Sequence, residues 1–243
     1  SGAVPRCDHT WPVNSDVTDE LKRESRETRW EASSAVLVVV LLQAALGVLS
    51  LRHGWTLWGV GGWVWLVPIF PELLLAITVA AEGRGGDLDQ TGERRKLGVA
   101  LLVVVAVFNA VALALLIMEL FTGEVRTGGE LAIEAVVVWS TLVFTSGMLF
   151  WELDGGGPRG RAFEPGGQRD FLFSEMTAPR LVSPDWHPRL LDYIYLSFTT
   201  AIAWSAADVL PLSRNAKVMM AIETSLSALT ILLVAARAVS VIG

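Results

Sequence analysis

Three polar side chains lie inside long apolar runs of the sequence: Glu72, Asn109 and Glu223. A charged side chain at the centre of a bilayer costs about 2.5–3.5 kcal/mol on insertion scales, so such residues point to function. A carboxyl that faces a cavity could carry a proton or attract a cation. The alternative for Glu72 and Glu223 is a hydrogen-bonded group that fixes helix packing, and for Asn109 we expect that packing role.

A second group of polar residues lies in the stretch SFTTAIAWSAADVLPLS, Ser197–Ser213, just before the last apolar run. Its side chains could line the outer end of a path for ions: Thr199, Thr200, Ser205 and Asp208. Glu223 would lie deeper on the same path. In a structural alternative, Asp208 caps the last helix and Pro211 begins it.

The composition indicates that membrane helices must hold these residues. Apolar residues make up 52% of the chain and charged residues 18%, whereas a soluble domain has roughly 25% charged residues and no apolar 20-mers. In lipid, backbone polar groups must be satisfied within helices or a closed barrel. We therefore predict an all-α polytopic bundle of five or six spans, with the option of a re-entrant pore-type helix before the last span.

The apolar runs divide the chain into four regions. Residues 1–34 form a polar leader, 35–153 a four-span membrane region, 154–187 a Gly/Pro-rich loop, and 188–243 a pore-loop-like hairpin with the last span. The four spans of the second region are predicted at 35–51, 55–81, 97–121 and 131–153, and the last span at about 213–242. Pro68 and Pro71 predict a kink in the second span, and Gly155–Gly157 should end the fourth.

The stretch Ser197–Ser213 resembles the pore loop of tetrameric cation channels, whose potassium-selective members read S-F-T-T-L-T-T-V-G-Y-G-D-x-x-P. The matching residues are Ser197, Phe198, Thr199, Thr200, Asp208 and Pro211. The resemblance implies a pore helix, a turn and an inner helix. The filter signature T-V-G-Y-G falls on AWSAA, residues 203–207, so Ser205 and Ala207 replace the glycines that let the backbone turn its carbonyls inward. We therefore expect no selective potassium conduction.

The C-terminal half also resembles a family of uncharacterised, largely actinobacterial integral membrane proteins. The shared elements are WELDGGGP, DFLF, DYIYLSFT and WSAAD: Trp151–Pro158, Asp170–Phe173, Asp192–Thr199 and Trp204–Asp208. The resemblance covers residues 131–243 strongly and the earlier spans only by hydropathy. It implies a multi-pass protein of the bacterial inner membrane. Because DFLF is too apolar for a free linker, we expect Phe171 and Phe173 to dock against the end of the bundle.

The charges of the loops bear on the topology. Arginine and lysine concentrate in the leader, in residues 82–96 and in residues 154–187, and the positive-inside rule places these segments in the cytoplasm. A pore helix of the channel type would need 154–187 outside instead. A plain fifth span at 189–207 would give six crossings, with both termini cytoplasmic and Trp204–Asp208 at the outer surface. The sequence favours six crossings and leaves the re-entrant arrangement open.

The sequence carries no motif for enzymatic chemistry. HExxH, GxSxG and GxxxxGK are absent, and the three histidines, His9, His53 and His187, fall in separate polar segments. Cys7 is the only cysteine, which excludes an internal disulfide and a cysteine-based metal site. No basic cluster indicates nucleic acid. We predict no enzyme activity, no cofactor and no metal, and the lipid bilayer as a partner.

Two functions from different classes remain. The first is a channel-like protein with a degenerate, non-potassium-selective filter, for which a cation or a proton would be the transported ion. The second is a non-conducting structural or interaction protein of the membrane. A stripe of small residues on the last helix lets another helix approach closely: Ala221, Ser225, Ala228 and Ala235. This stripe indicates a homo-oligomer, although packing within one chain explains it as well.

Overall fold

A computed structural model describes residues 15–57, 59–81, 88–122, 128–163, 167–183, 186–205 and 208–242. This part of the chain is mostly helical, with two short two-stranded sheets. Its helices are α1 (Ser15–His53), α2 (Ile69–Ala81), α3 (Leu88–Thr122), α4 (Gly128–Leu153), α5 (Gly157–Phe163), α6 (Ser174–Thr177), α7 (Leu190–Ala203) and α8 (Arg214–Ile242). Its strands are β1 (Thr56–Leu57), β2 (Val60–Gly61), β3 (Phe171–Phe173) and β4 (Val209–Pro211).

Four helices of the described chain contain segments long and apolar enough to cross a membrane. These segments are Glu31–His53, Arg95–Glu119, Gly129–Gly156 and Arg214–Ala236, within α1, α3, α4 and α8. They correspond to the first, third, fourth and last spans expected from the sequence. Two shorter apolar helical segments are Gly62–Ile77 and Leu190–Ala203. The prediction of a helical membrane protein is confirmed at this level, because the backbone polar groups of these apolar segments are satisfied within helices.

The second predicted span is not one kinked helix. Its first part forms an antiparallel hairpin of β1 and β2, followed by a 3₁₀ turn over Gly62–Leu66. Gly54 and Gly59 have φ angles of 70° and 72°, a left-handed conformation that interrupts a helix and that glycine adopts at no steric cost. Pro71 lies in the first turn of α2, where a backbone N–H has no partner within the helix. Gly54 thus follows the end of α1 and Gly59 lies in the hairpin, whereas α2 begins directly after Pro68, so neither proline lies in the interior of a helix.

Two apolar clusters mark the two ends of the bundle. One joins the first half of the α1 span to the end of α4 and the start of α7, and it includes Val36, Phe150 and Tyr193. The other joins the second half of α1 to the start of α4, and it includes Leu46 and Trp65. We call these the Tyr193 end and the Trp65 end. The α1 and α3 spans run from the Tyr193 end to the Trp65 end, and α4 runs back.

Both α7 and α8 begin at the Tyr193 end. Leu190, the first residue of α7, and Ala216, in the first turn of α8, belong to the same apolar cluster, whereas Leu233 of α8 lies in the other. Glu31 holds the start of α7 against α1, because its carboxylate is 2.6 Å from the Arg189 guanidinium and accepts the Leu190 N–H at 3.3 Å. The two helices thus leave from one end of the bundle.

The chain turns sharply after α4. Gly155, Gly156 and Gly157 have φ angles of 55°, 82° and 84°, which end the helix at Leu153 as the sequence predicted. At Gly160 an added Cβ would lie 2.4 Å from the carbonyl oxygen of Gly155, so the turn leaves no room for a side chain there. The glycines therefore let the chain fold back across the Tyr193 end.

Strand β3 docks the DFLF stretch against the bundle. It pairs antiparallel with β4, with Phe173 opposite Val209. Phe171 and Phe173 are buried, and their rings contact Phe150 and Tyr193 at centroid distances of 5.2 and 5.1 Å respectively. The expected docking of the two phenylalanines is confirmed.

The last helix begins close to the predicted residue but with a different cap. α8 starts at Arg214, and the Ser213 hydroxyl oxygen accepts the Ala216 N–H at 3.1 Å, which is N-cap geometry. Pro211 lies in β4, paired with Phe171. The alternative in which Asp208 caps this helix and Pro211 begins it is therefore wrong, because pairing with β3 keeps residues 209–211 extended.

Candidate functional site

A polar seam runs between α4, α7 and α8. Its centre is Glu223 on α8, which is 2% exposed. The Glu223 carboxyl contacts the hydroxyl of Ser197 on α7 and lies beside Ser146 on α4. The Ser197 hydroxyl is also 2.8 Å from the carbonyl oxygen of Val143. Within the described part of the chain no cationic side chain pairs with Glu223, and its Oε2 atom has no hydrogen-bond partner there.

A second hydrogen bond joins α7 and α8, one helical turn after the contact between Ser197 and Glu223. The Ser227 hydroxyl on α8 donates to the carbonyl oxygen of Ala201 on α7 at 2.6 Å and accepts the Trp139 indole N–H at 2.8 Å. In both links the α7 residue and the α8 residue are 26 positions apart. Because the offset stays constant as both residue numbers increase, α7 and α8 run parallel to each other.

Two further hydroxyls on the helices of the seam lack a protein partner. Thr145 on α4 and Thr200 on α7 are each 1% exposed, and among the described residues neither hydroxyl oxygen has a hydrogen-bond partner. A buried donor or acceptor left unpaired costs about 1–3 kcal/mol, which favours a bound water or another polar ligand at such a position. Protein groups alone therefore do not satisfy this part of the bundle.

The residues predicted as polar lining lie in different environments. Thr200 is buried, whereas the Thr199 hydroxyl bonds to its own helix, at 3.0 Å from the carbonyl oxygens of Tyr195 and Leu196. Ser205 and Asp208 are exposed, and residues 206 and 207 of the filter-aligned stretch lie outside the described chain. The hydroxyl that reaches Glu223 belongs to Ser197, which the sequence marked only as a match to the pore-loop pattern. Which residues line a path stays a prediction.

Glu72 and Asn109 are buried away from this seam. Glu72 is 1% exposed in the first turn of α2, and within the described chain neither of its carboxyl oxygens has a hydrogen-bond partner. An acidic side chain is favoured there by the positive end of the helix dipole. Asn109 is 4% exposed on α3. Because α2 packs mainly against α1 and α3, Glu72 lies outside the seam, and no hydrogen bond among the described residues joins Asn109 of α3 to Glu223 or Ser197.

The Tyr193 end is closed by a second polar cluster, centred on Asp154. This carboxylate is fully buried. One of its oxygens accepts the N–H groups of Asp170 and Phe171 at 2.7 and 3.1 Å, and the other accepts the Tyr193 hydroxyl at 2.6 Å. Three hydrogen bonds to one carboxylate compensate much of the cost of burying its charge. Asp154 therefore fixes β3 and α7 to the end of α4.

Two arginines complete the cluster. Arg161 lies 4.0 Å from the Asp154 carboxylate and 5.2 Å above the Tyr193 ring, and it donates to the carbonyl oxygens of Trp151 and Asp154 at 2.7 Å each. Arg169 lies 3.8 Å from the same carboxylate oxygen. Burial lowers the pKa of the Arg161 guanidinium from its usual value, and Tyr193 and Asp154 oppose that shift. Arginine stays charged in proteins, so the cluster pairs one buried anion with two cations.

The Asp154 cluster brings the shared sequence elements together. Trp151–Pro158 supplies Asp154, Asp170–Phe173 supplies two of its donors, and Asp192–Thr199 supplies Tyr193. The stretch Trp204–Asp208 leads into β4, which pairs with β3. Neither Asp154 nor Tyr193 was predicted as a site residue, although an acidic residue between an apolar helix and three glycines is a visible signal.

Within the described residues no group of three or more His, Cys, Asp or Glu side chains could hold a metal ion. Comparisons of the chain with protein-family models, curated proteins and solved structures find no match. The two resemblances drawn from the sequence therefore stay predictions, and the function has to be argued from the seam and the Asp154 cluster.

Proposed function

We propose that this protein is a channel-like membrane protein in which α7 is a re-entrant helix, and that the seam between α4, α7 and α8 carries cations or protons. The observation that carries the proposal is the parallel course of α7 and α8 beside the buried Glu223. Between two parallel neighbouring helices, the chain must return to the end from which the first helix started.

The dimensions of α7 support re-entry. Its 14 residues reach roughly 20 Å at 1.5 Å per residue, which is less than the ~30 Å of a bilayer core. After α7 the chain pairs as β4 with β3, which precedes α7, so both flanks of the helix lie at the Tyr193 end. The arrangement has five crossings, in α1, the α2 segment, α3, α4 and α8. It replaces the six-crossing arrangement that the sequence favoured.

The backbone at Trp204 supports a turn between α7 and the segment that returns to the Tyr193 end as β4. It ends α7 with a φ of 52°, a left-handed conformation that side chains other than glycine adopt at a cost of about 1–3 kcal/mol. Such strain persists where the surrounding structure requires it, and it is frequent at functional sites. A left-handed residue is a common helix end, so Trp204 fixes where α7 stops and the chain turns, while the case for re-entry rests on the strand pairing and the parallel course of α7 and α8.

The distribution of charge indicates the side from which α7 enters. The Tyr193 end receives the leader and the loop from α4 to α7, two segments in which arginine and lysine concentrate. The positive-inside rule assigns that end to the cytoplasm. A re-entrant helix that enters from the cytoplasm agrees with these charges. The conflict between the charges and re-entry arose only because a pore helix of the channel type enters from outside. The bacterial inner membrane, implied by the resemblance, is part of the same proposal.

The chemistry of the seam suits cations or protons without potassium selectivity. Glu223 supplies a carboxyl, and Ser146, Ser197 and Thr200 supply hydroxyls. A potassium filter needs a ring of backbone carbonyls, for which residues with a Cβ at the two glycine positions are poorly suited. Ser205 occupies one of these positions and Ala207 the other.

The second candidate is a non-conducting structural or interaction protein. Close packing favours it: at Gly147 on α4, an added Cβ would lie 2.8 Å from the Ile194 Cα of α7. The Asp154 cluster also explains most of the shared motifs without any transport. On this interpretation the seam would only fix the mutual positions of three helices.

A homo-oligomer belongs to the proposal as its quaternary structure. Ala221 and Ser225 of the small-residue stripe are exposed on α8, on the side away from Glu223. Small side chains let the backbones of two membrane helices approach closely. These exposed members leave part of the stripe available to a second copy. Light scattering in mild detergent that returned only the monomer mass would remove this part of the proposal.

Ion flux through liposomes that contain the purified full-length protein tests the proposed function. We expect flux of protons or monovalent cations above that of protein-free vesicles, and we expect Glu223→Gln to abolish it. The matched control is Ile222→Val on the same helix, because Ile222 is 56% exposed and lies outside both the seam and the small-residue stripe. No flux at any pH would leave the non-conducting alternative.

A further inference from the structure

The Ser197 hydroxyl has one hydrogen for two neighbouring oxygens, one of which belongs to Glu223. The Ser197 hydroxyl lies within hydrogen-bond distance of two oxygens, the Val143 carbonyl oxygen and a carboxyl oxygen of Glu223. A serine hydroxyl has one hydrogen and therefore donates to one of them. A carbonyl oxygen can only accept. If Ser197 donates to Val143, the contact with Glu223 is a hydrogen bond only when the carboxyl itself carries a hydrogen.

The surroundings of Glu223 point the same way. From α4 it faces the Ser146 hydroxyl, and from α7 the Ser197 hydroxyl, with no charged group of the described chain close enough to compensate a carboxylate. Tyr193, one turn before Ser197 on α7, donates its hydroxyl to Asp154, and Tyr195 is 55% exposed. The third helix packed on α8 is α3, and those two share the apolar cluster of the Trp65 end, with Leu116 and Leu233. A buried, unpaired carboxylate is far more costly than a neutral carboxylic acid.

We propose that Glu223 is a protonated carboxylic acid in the resting protein, donating to Ser197, and that its proton is the ion which the seam transports. This inference rests on the proposed function and names its substrate. Loss of the proton leaves a carboxylate that accepts the Ser197 hydrogen, because that hydroxyl can rotate from Val143 to Glu223. The released proton passes to a water molecule, and a proton from water on the other side of the membrane restores the acid, so each cycle moves one proton and rotates one hydroxyl while no metal cation enters the seam.

Infrared spectroscopy of the reconstituted full-length protein reads the protonation state directly. A protonated carboxyl has a carbonyl stretch that is separate from the carboxylate bands and shifts in heavy water. We expect such a band at neutral pH and its loss in Glu223→Gln. The control Ile222→Val should retain it. Glu72→Gln should also retain it, although Glu72 is as deeply buried and can contribute a band of its own. An unchanged spectrum in Glu223→Gln would show that Glu223 is ionised and would overturn the proposal.

Flux measurements separate this inference from the proposed function. Vesicles with a pH gradient and a pH-sensitive dye should lose the gradient at the same rate in sodium, potassium or choline salts. Ser197→Ala should slow the loss, and Glu223→Gln should reduce it to that of protein-free vesicles. A flux that follows potassium or sodium and is lost in Glu223→Gln would overturn the inference and leave the seam as a path for metal cations. Absence of flux for every ion would overturn both.

Discussion

Replacing Asp154 by alanine should be the most damaging single substitution at the Tyr193 end. It removes the acceptor of three hydrogen bonds and leaves the buried Arg161 guanidinium without its carboxylate. Removing one partner of a buried ion pair costs about 3–5 kcal/mol, because the remaining charge stays buried. One kcal/mol shifts the midpoint of a protein of this size by roughly 2–4 °C, so we expect the melting temperature to fall by roughly 6–20 °C.

Thermal unfolding in mild detergent, followed by tryptophan fluorescence, measures this loss. Tyr193→Phe removes a single hydrogen bond to a charged group, worth about 1.5–3 kcal/mol, so its melting temperature should lie between those of the wild type and Asp154→Ala. The matched acidic control is Asp208→Ala, because Asp208 is exposed and its loss should change little. Equal melting temperatures for Asp154→Ala and the wild type would refute the central role of Asp154.

Three further substitutions test the packing with the same unfolding assay. Gly147→Ala should destabilise the protein by about 1–3 kcal/mol, because its Cβ would meet the Ile194 backbone at 2.8 Å; Gly129→Ala, where nothing lies within 4 Å, should not. Phe171→Ala should cost about 3–5 kcal/mol, because it empties a fully buried ring site; a loss below 1 kcal/mol would contradict the docking of β3. Ser213→Ala should cost about 1 kcal/mol through loss of the α8 cap, and an unchanged midpoint would argue against that cap.

The sequence predicts the long membrane helices well and the segment before α2 poorly. The Arg95–Glu119 segment is recognisable because a run of that length and polarity has few structures available in lipid. The helix predicted over residues 55–61 is wrong, since tryptophan, valine and leucine suit an interfacial helix and a strand equally. The left-handed conformations of Gly54 and Gly59 favour the hairpin over the helix. The local composition does not show that choice.

The seam could be predicted only in part. Glu223 is visible as a carboxyl within an apolar run, whereas Ser197 is a single serine in an apolar helix, which is common and carries no signal. Its contact with Glu223 depends on the direction of α7, and that direction depends on the pairing of Phe173 with Val209 far along the chain. Long-range pairing of this kind cannot be obtained from the spacing of residues. Asp154 was within a quoted motif, but its partners come from three separate segments.

The side of the membrane from which positions 181 and 212 can be labelled tests the re-entrant course of α7 most directly. Leu181 precedes α7 and is 86% exposed, and Leu212 follows the return segment and is 50% exposed. In a Cys7→Ser background, Leu181→Cys and Leu212→Cys are labelled separately with a membrane-impermeant maleimide, with His53→Cys as the marker of the Trp65 end. A re-entrant α7 predicts that both positions react from one side and His53→Cys from the other. Reaction of Leu212→Cys from the same side as His53→Cys would mean that α7 crosses the membrane, and it would contradict the account.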